Sequence, residues 1–202
     1  MHSLKGVTLW FLFLLSTSAY AQQTIIVLGD SISAAYGVPS EQGWVSLLQS
    51  RLKTDHKQYK VINASISGDT TNEGLKRLPS LLERHQASFI LIELGGNDGL
   101  RGYPLNSIKT NLEALIKQSK EKNITPILLA MRIPPNYGKR YTSGFQKIYR
   151  DIAQESNIML VPFLMNDVAT NPKLMQKDGI HPTALAQPFL LDTVWSILEP
   201  LL

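Results

Sequence analysis

The sequence predicts an α/β protein, a three-layer α/β/α sandwich with a parallel sheet of five strands. Two observations lead to this fold class. Short apolar runs without polar alternation recur along the chain, which is typical of parallel strands buried on both faces. Segments with apolar residues at helical spacing separate these runs, so strand and helix alternate about five times.

The predicted strands are runs of aliphatic residues between polar segments. The third run also contains Glu93, and an acid inside a buried strand needs a partner. The five runs are IIVL at 25–28, VI at 61–62, FILIEL at 89–94, ILLAM at 127–131 and IMLV at 158–161.

The predicted helices carry apolar residues on one face only. In the third of them, Ile108, Leu112, Leu115 and Ile116 recur at the spacing of an amphipathic helix. Such a stripe packs against a sheet and leaves the other face to solvent. The five predicted helices are 41–53, 71–85, 105–122, 143–156 and 184–202.

The first 21 residues have the order of a secretory signal peptide. Lys5 precedes an apolar stretch at 7–15, and Ala19-Tyr20-Ala21 has the small-residue pattern of a cleavage site. The apolar stretch is too short to span a membrane, which takes about 20 residues. We therefore predict a signal peptide at 1–21, cleavage near Ala21, one domain at 22–202, and a periplasmic or secreted protein.

The composition excludes several classes of protein. A hydrophobic content of 44% is enough for a core, and the absence of cysteine excludes disulfides, a cysteine nucleophile and thiolate metal sites. The net charge of +4 is mild and the basic runs are short, so we expect no nucleic-acid partner. We also expect no stable membrane span and a monomeric protein.

Four polar clusters follow predicted strands or precede the last helix. Ligands bind at the carboxyl ends of the strands in open parallel sheets, so these clusters are expected at one edge. One such cluster could be a simple turn, whereas four at the same edge indicate a site. They are GDS at 29–31, NASISGDT at 63–70, GGND at 95–98 and DGIHP at 178–182.

Ser31 is a candidate nucleophile, although a serine after a strand can also be a helix cap. A nucleophilic serine needs a base and a group that orients the base. His56 and His85 lie near the ends of predicted helices and are expected to be exposed. His181 lies in a loop three residues after Asp178, whose carboxylate can fix the imidazole, a side chain suited to general base catalysis.

An acyl-transfer reaction also needs donors for the oxyanion. The backbone N–H of Gly68 can approach a substrate closely because glycine has no side chain. The side-chain amide of Asn97 and the backbone N–H of Ser31 are the other candidate donors.

In this order, the four clusters resemble the conserved blocks of the SGNH hydrolases, also called GDSL esterases and lipases. The resemblance covers essentially the whole of 22–202 and implies a flavodoxin-like α/β/α sandwich. It implies Ser31 as nucleophile, His181 as base, Asp178 as the orienting acid, and an oxyanion hole of the Ser31 amide, Gly68 and Asn97. It implies acyl thioesters, lysophospholipids and aryl esters as substrates, without a cofactor or metal.

Two positions depart from the family pattern. Ile32 replaces the leucine of GDSL and keeps an apolar side chain, so no loss of chemistry is expected. Pro134-Pro135 replaces a single proline and stiffens a loop expected to border the acyl pocket. The loops 99–104 and 131–141 could form an acyl groove with a cationic mouth, or be ordinary surface loops.

Two other functions are compatible with these residues. The acids Asp30, Asp69 and Asp98 are interpreted as scaffold, but with Asp178 and His181 they could hold a divalent cation in a phosphoesterase. The rim could instead bind an anion through backbone amides without catalysis.

Overall fold

A computed structural model describes residues 22–56 and 58–202. The signal peptide predicted at 1–21 lies outside the described residues. The structure confirms the predicted fold class, because five parallel strands form one sheet in the order β2-β1-β3-β4-β5. The strands are Gln23–Gly29 (β1), Tyr59–Asn63 (β2), Phe89–Glu93 (β3), Thr125–Leu129 (β4) and Met159–Val161 (β5).

The helices agree with the predicted ones except at their ends and at one short turn. A single-turn helix after β3 was not predicted, and the predicted helix 184–202 begins and ends in 3₁₀ turns around its α-helical part. The helices are Trp44–Asp55 (α1), Thr71–Arg84 (α2), Gly96–Leu100 (α3), Leu105–Glu121 (α4), Lys139–Glu155 (α5) and Gln187–Leu198 (α6).

The helices cover both faces of the sheet. Helices α1 and α6 pack together on one face, whereas α2, α4 and α5 pack on the other. Alternate residues of β1 enter the two cores, with Ile25 and Val27 on the first side and Ile26 and Leu28 on the second. Because helices cover both faces of the sheet, a ligand can reach it only at the ends of the strands.

A capping box fixes the start of α2 directly after the SGDT block. Thr70 accepts a hydrogen bond from the Glu73 N–H, and the Glu73 side chain accepts one from the Thr70 N–H at 2.8 Å. This reciprocal pair satisfies the free N–H groups of the first turn and holds the chain at 68–70 in place.

His56 and His85 lie at the opposite edge of the sheet from the predicted site. They end α1 and α2, whose carboxyl ends lead into the amino ends of β2 and β3. Both are half-buried, so the expectation that they are exposed is wrong. His56 packs its ring 5.8 Å from that of Trp195, which explains its burial.

None of the helices in the described part of the chain is long and apolar enough to cross a bilayer.

Candidate active site

Ser31 and Asn97 follow the two strands that flank the point where the strand order reverses. The chain leaves β1 for its neighbour β2, whereas β3 lies on the other side of β1. A crevice opens at such a point outside the carboxyl ends of the strands. The GDS block follows β1 and the GGND block follows β3, so both line this crevice.

Ser31 lies in a series of turns and is not a helix cap. The N–H groups of Ala34 and Tyr36 donate to the carbonyls of Asp30 and Ser31 at 2.9 and 3.0 Å, and α1 begins only after Gly43. Ile32 is buried in the core and anchors the turn. The turn is therefore held without the Ser31 hydroxyl, which is free to contact a side chain from another part of the chain.

Ser31, His181 and Asp178 form a continuous chain of hydrogen bonds. The Ser31 Oγ lies 2.9 Å from His181 Nε2, and His181 Nδ1 lies 2.6 Å from Asp178 Oδ2. Asp178 Oδ1 also accepts the N–H groups of Ile180 and His181. The hydrogen bond from the His181 N–H is the main reason why the pKa of Asp178 falls to about 2, so this carboxyl is ionised at neutral pH.

The loop that carries His181 is closed by its own backbone and tied to the Ser31 loop. Thr183 N–H donates to the Leu174 carbonyl, and Gln176 N–H donates to that of His181, both at 2.8 Å. The Gln176 side-chain amide donates to the Tyr36 carbonyl at 2.7 Å. The centroid of the Tyr36 ring lies 4.5 Å from that of the His181 imidazole. These contacts fix the position of the His181 loop relative to the Ser31 loop.

The three candidate oxyanion donors differ in what they bind. Among the hydrogen bonds of residues 22–56 and 58–202, none uses the backbone N–H of Ser31 or Gly68. Asn97 Nδ2 donates to Asp30 Oδ2 at 3.2 Å and to the Asp69 carbonyl at 2.9 Å. Gly68 has φ +89°, a conformation that favours glycine, and does not itself line the pocket beside Ser31.

The three other rim acids bind the scaffold. Asp98 accepts from the N–H and hydroxyl of Thr71 at 2.9 and 2.6 Å, and Asp69 pairs with Arg77 at 2.7 Å. Asp30 accepts from the Ile32 N–H at 3.1 Å as well as from Asn97. Within the described ranges, no group of three or more histidine and acidic side chains is placed to hold a metal ion.

Glu93 is fully buried beneath the GDS turn, and one of its two carboxyl oxygens has hydrogen-bond partners there. Its Oε2 accepts from the Ser33 hydroxyl at 2.6 Å and from the Asp30 N–H at 3.3 Å. A Cβ at Gly29 would lie 2.7 Å from this oxygen, so the glycine of GDS makes room for Glu93. Burial and the neighbouring Asp30 raise the pKa of Glu93 well above its usual range.

A pocket of about 560 Å³ opens beside Ser31 and His181. Segment 131–141 contributes residues 131–135 to its wall, whereas loop 99–104 contributes only Leu100. Arg132 is the cationic residue at its edge and donates to Asn166 Oδ1 at 2.9 Å. The apolar lining residues are Ile32, Leu100, Met131, Ile133, Pro134, Pro135, Phe163, Met165, Ala169, Met175 and Ile180.

The profile of the GDSL-like lipase/acylhydrolase family matches residues 27–187, which include most of the sheet and all four blocks. The chain belongs to this family. The protein is therefore a serine hydrolase, as the resemblance implied, and its relatives give no support to the metal-dependent alternative.

Curated relatives of this GDSL hydrolase match along nearly their whole length. Esterase TesA of Pseudomonas aeruginosa is 47% identical over 93% of this chain and 94% of its own. Thioesterase 1/protease 1/lysophospholipase L1 of Escherichia coli K12 is 44% identical over 95% and 90%, respectively. An arylesterase of Vibrio mimicus is 44% identical over 95% and 96%.

Two solved structures share the fold of this GDSL hydrolase. The crystal structure of TesA superposes with a TM-score of 0.86, at 47% identity, over 89% of this chain and all of its own. The psychrotrophic esterase EstA of Pseudoalteromonas sp., inhibited by monoethylphosphonate, gives 0.85 at 44% identity over 89% and 98%.

One wall of the pocket in this GDSL hydrolase was not predicted. Phe163, Met165, Asn166, Ala169 and Thr170 line it from the segment after β5. This segment has no glycine-rich polar cluster like the four blocks, and the signal that could have found it is its place at the carboxyl end of a strand.

Replacing Glu93 with glutamine is expected to raise the thermal midpoint of this GDSL hydrolase more at pH 8 than at pH 4.5. A glutamic acid in the unfolded chain titrates at about 4.3. Above that pH the unfolded chain releases a proton that the folded protein keeps on Glu93, so wild-type stability falls as the pH rises. Glutamine does not titrate, and its amide oxygen can still accept from Ser33 and Asp30.

The measurement is calorimetry of both proteins across this pH range, where 1 kcal/mol corresponds to about 2–4 °C in a domain of this size. If the difference in thermal midpoint between wild type and Glu93→Gln does not change with pH, Glu93 has an ordinary pKa and the prediction is wrong.

Proposed function

We propose that this protein is a serine esterase in which Ser31, His181 and Asp178 are the catalytic triad. The observation that carries the proposal is the unbroken chain of hydrogen bonds from Asp178 through His181 to Ser31, which ends at an apolar pocket. A nucleophile, its base and the group that orients the base are therefore within contact distance of one another.

The contacts of His181 define the direction of proton transfer. Asp178 is an ionised acceptor, so the imidazole carries its proton on Nδ1 and leaves Nε2 free to accept from Ser31. As the Ser31 Oγ attacks the carbonyl carbon of the substrate, its proton moves to Nε2. His181 then gives that proton to the leaving alcohol or thiol, and the acyl group remains on Ser31.

Deacylation repeats these steps with water as the nucleophile. His181 takes a proton from the water, the new tetrahedral centre collapses, and Ser31 leaves as the protonated hydroxyl with release of the acid. In both steps the N–H groups of Ser31 and Gly68 and the amide of Asn97 would stabilise the oxyanion. A single such donor contributes about 10²–10³ in rate.

The proposed substrates are carboxylic esters and thioesters with an apolar acyl chain. The pocket lining is mostly apolar and includes Met131, Met165 and Met175, and no reaction step requires a cofactor. The names of the relatives support acyl thioesters, lysophospholipids and aryl esters as candidates. Lysophospholipid is the candidate that suits an exported enzyme.

We also propose a cleaved signal peptide at 1–21 and a monomeric hydrolase domain at 22–202, in the periplasm or secreted. The basic, apolar and small-residue order of the N-terminus supports export. The family match at 27–187 lies wholly within the proposed domain.

The test is to treat the protein with a phosphonate ester and to measure its intact mass and its hydrolysis of p-nitrophenyl acyl esters. We expect one phosphonyl group per chain, located on Ser31, with a proportional loss of activity and no effect of EDTA. The acyl chain length with the highest kcat/KM would report the length of the pocket. Labelling elsewhere, or activity lost in EDTA, would refute the proposal.

A further inference from the structure

Asn97 has an amide whose two N–H groups are both held by acceptors. One donates to Asp30 Oδ2 at 3.2 Å and the other to the Asp69 carbonyl at 2.9 Å. The Asp69 carbonyl can only accept, so these contacts define which end of the amide is the nitrogen. Asn97 lies on a single-turn helix, Gly96–Leu100, so its side chain depends on contacts outside that helix.

The N–H that points to Asp30 is directed at a residue of the pocket lining. Asp30, Ser31 and Asn97 all line the pocket, whereas Asp69 does not. A developing oxyanion next to Ser31 would therefore share the hydrogen that Asp30 holds. The direction of this N–H before the reaction depends on where the Asp30 carboxylate lies.

Asp30 is itself held on three sides. Its Oδ1 accepts from the Ile32 N–H at 3.1 Å, and its own N–H donates to the buried Glu93 at 3.3 Å. The side chain is 2% exposed, and burial raises its pKa to about 6. This carboxyl is not free to follow a substrate, and it does not contact His181 through a hydrogen bond.

We infer that Asp30 is a positioning residue that directs the side-chain amide of Asn97 towards the oxyanion. The inference rests on the proposed function, in which Asn97 is an oxyanion donor. Asp30 would act through Asn97 alone, so its contribution to kcat should disappear when Asn97 is absent. A purely structural acid would lower activity in either background.

Asp30→Asn is the variant that separates these roles. The carboxylate uses both oxygens as acceptors, one for Ile32 and one for Asn97. Asparagine has one oxygen, so an NH₂ group must face one of these two donors. We expect kcat to fall by about 10- to 10²-fold with KM changed by less than about threefold, because transition-state contacts are affected more than substrate binding.

The experiment is a double-mutant cycle of Asp30→Asn and Asn97→Ala, measured as kcat and KM with a p-nitrophenyl ester. We expect Asn97→Ala to cost about 10²–10³ in kcat and the double variant to cost about the same as Asn97→Ala alone. If Asp30→Asn costs the same factor in both backgrounds, the inference is overturned. If Asn97→Ala leaves kcat unchanged, the oxyanion assignment itself fails.

Asp98→Asn is the matched control. Asp98 has the same 2% exposure, also accepts two hydrogens, and binds Thr71 instead of Asn97. Its effect on kcat should be independent of Asn97, so the double variant Asp98→Asn/Asn97→Ala should lose kcat by the product of the two single factors. If Asp30→Asn does not fold, Asp30→Ser takes its place, since the shorter side chain cannot reach Asn97. Failure of both to fold would assign Asp30 to the fold and overturn the inference.

Discussion

Replacing Ser31 with alanine is expected to lower kcat/KM for p-nitrophenyl ester hydrolysis by about 10⁴-fold or more. The Ser31 Oγ is the group in contact with His181 Nε2, so its removal takes away the nucleophile and leaves the base without a proton to accept. Activity that remains would come from water attack assisted by the oxyanion donors. The loss should appear in kcat, since the apolar pocket that binds the acyl chain is unchanged.

The fold should tolerate this substitution, which makes the result easy to interpret. The Tyr36 N–H donates to the backbone carbonyl of Ser31, and that bond survives the loss of the hydroxyl. Ser196→Ala is a suitable control, since Ser196 is exposed on α6 and donates only within its own helix. A folded Ser31→Ala protein with activity within tenfold of wild type would exclude the serine mechanism.

The predictable part of the fold follows from burial. A parallel strand that is covered on both faces is apolar along its length, so it can be recognised in the sequence as an uninterrupted stretch of apolar residues. Helix α3 escaped prediction because Gly95-Gly96-Asn97-Asp98 has the composition of a turn. It forms because Gly95 has φ +110° and because the Asp98 carboxyl is anchored to Thr71 on α2. These are tertiary contacts that a local pattern does not contain.

The predictable part of the site follows from chemistry. Ser31, Asn97, Asp178 and His181 are polar residues in short Gly-rich clusters. The structure joins Ser31, His181 and Asp178 by hydrogen bonds, and it places Asn97 on the lining of the same pocket, bonded to Asp30. The role of Glu93 beneath the turn could not be predicted. It depends on the pairing of β1 with β3 that sets Gly29 beside Glu93.

Asp178→Asn is expected to lower kcat by about 10²- to 10³-fold through the tautomer of His181. Asparagine can keep its oxygen towards the N–H groups of Ile180 and His181, where Asp178 Oδ1 now lies. An NH₂ group then faces His181 Nδ1, which must accept instead of donate. The imidazole proton moves to Nε2, and Nε2 can no longer take the proton of Ser31.

Asp178→Ala distinguishes this explanation from a simple loss of loop structure. Alanine removes the acceptor of the two backbone N–H groups as well as the contact with Nδ1, so it should lower the thermal midpoint more than asparagine does. If the His181 tautomer determines the rate, Asp178→Asn should lower kcat at least as much as Asp178→Ala does. Asparagine imposes the tautomer with the proton on Nε2, whereas alanine leaves the imidazole free to adopt either tautomer. A smaller loss of kcat in Asp178→Asn than in Asp178→Ala would mean that Asp178 acts by holding the loop. Its charge would then contribute little, as can occur for a side chain that is 38% exposed to solvent.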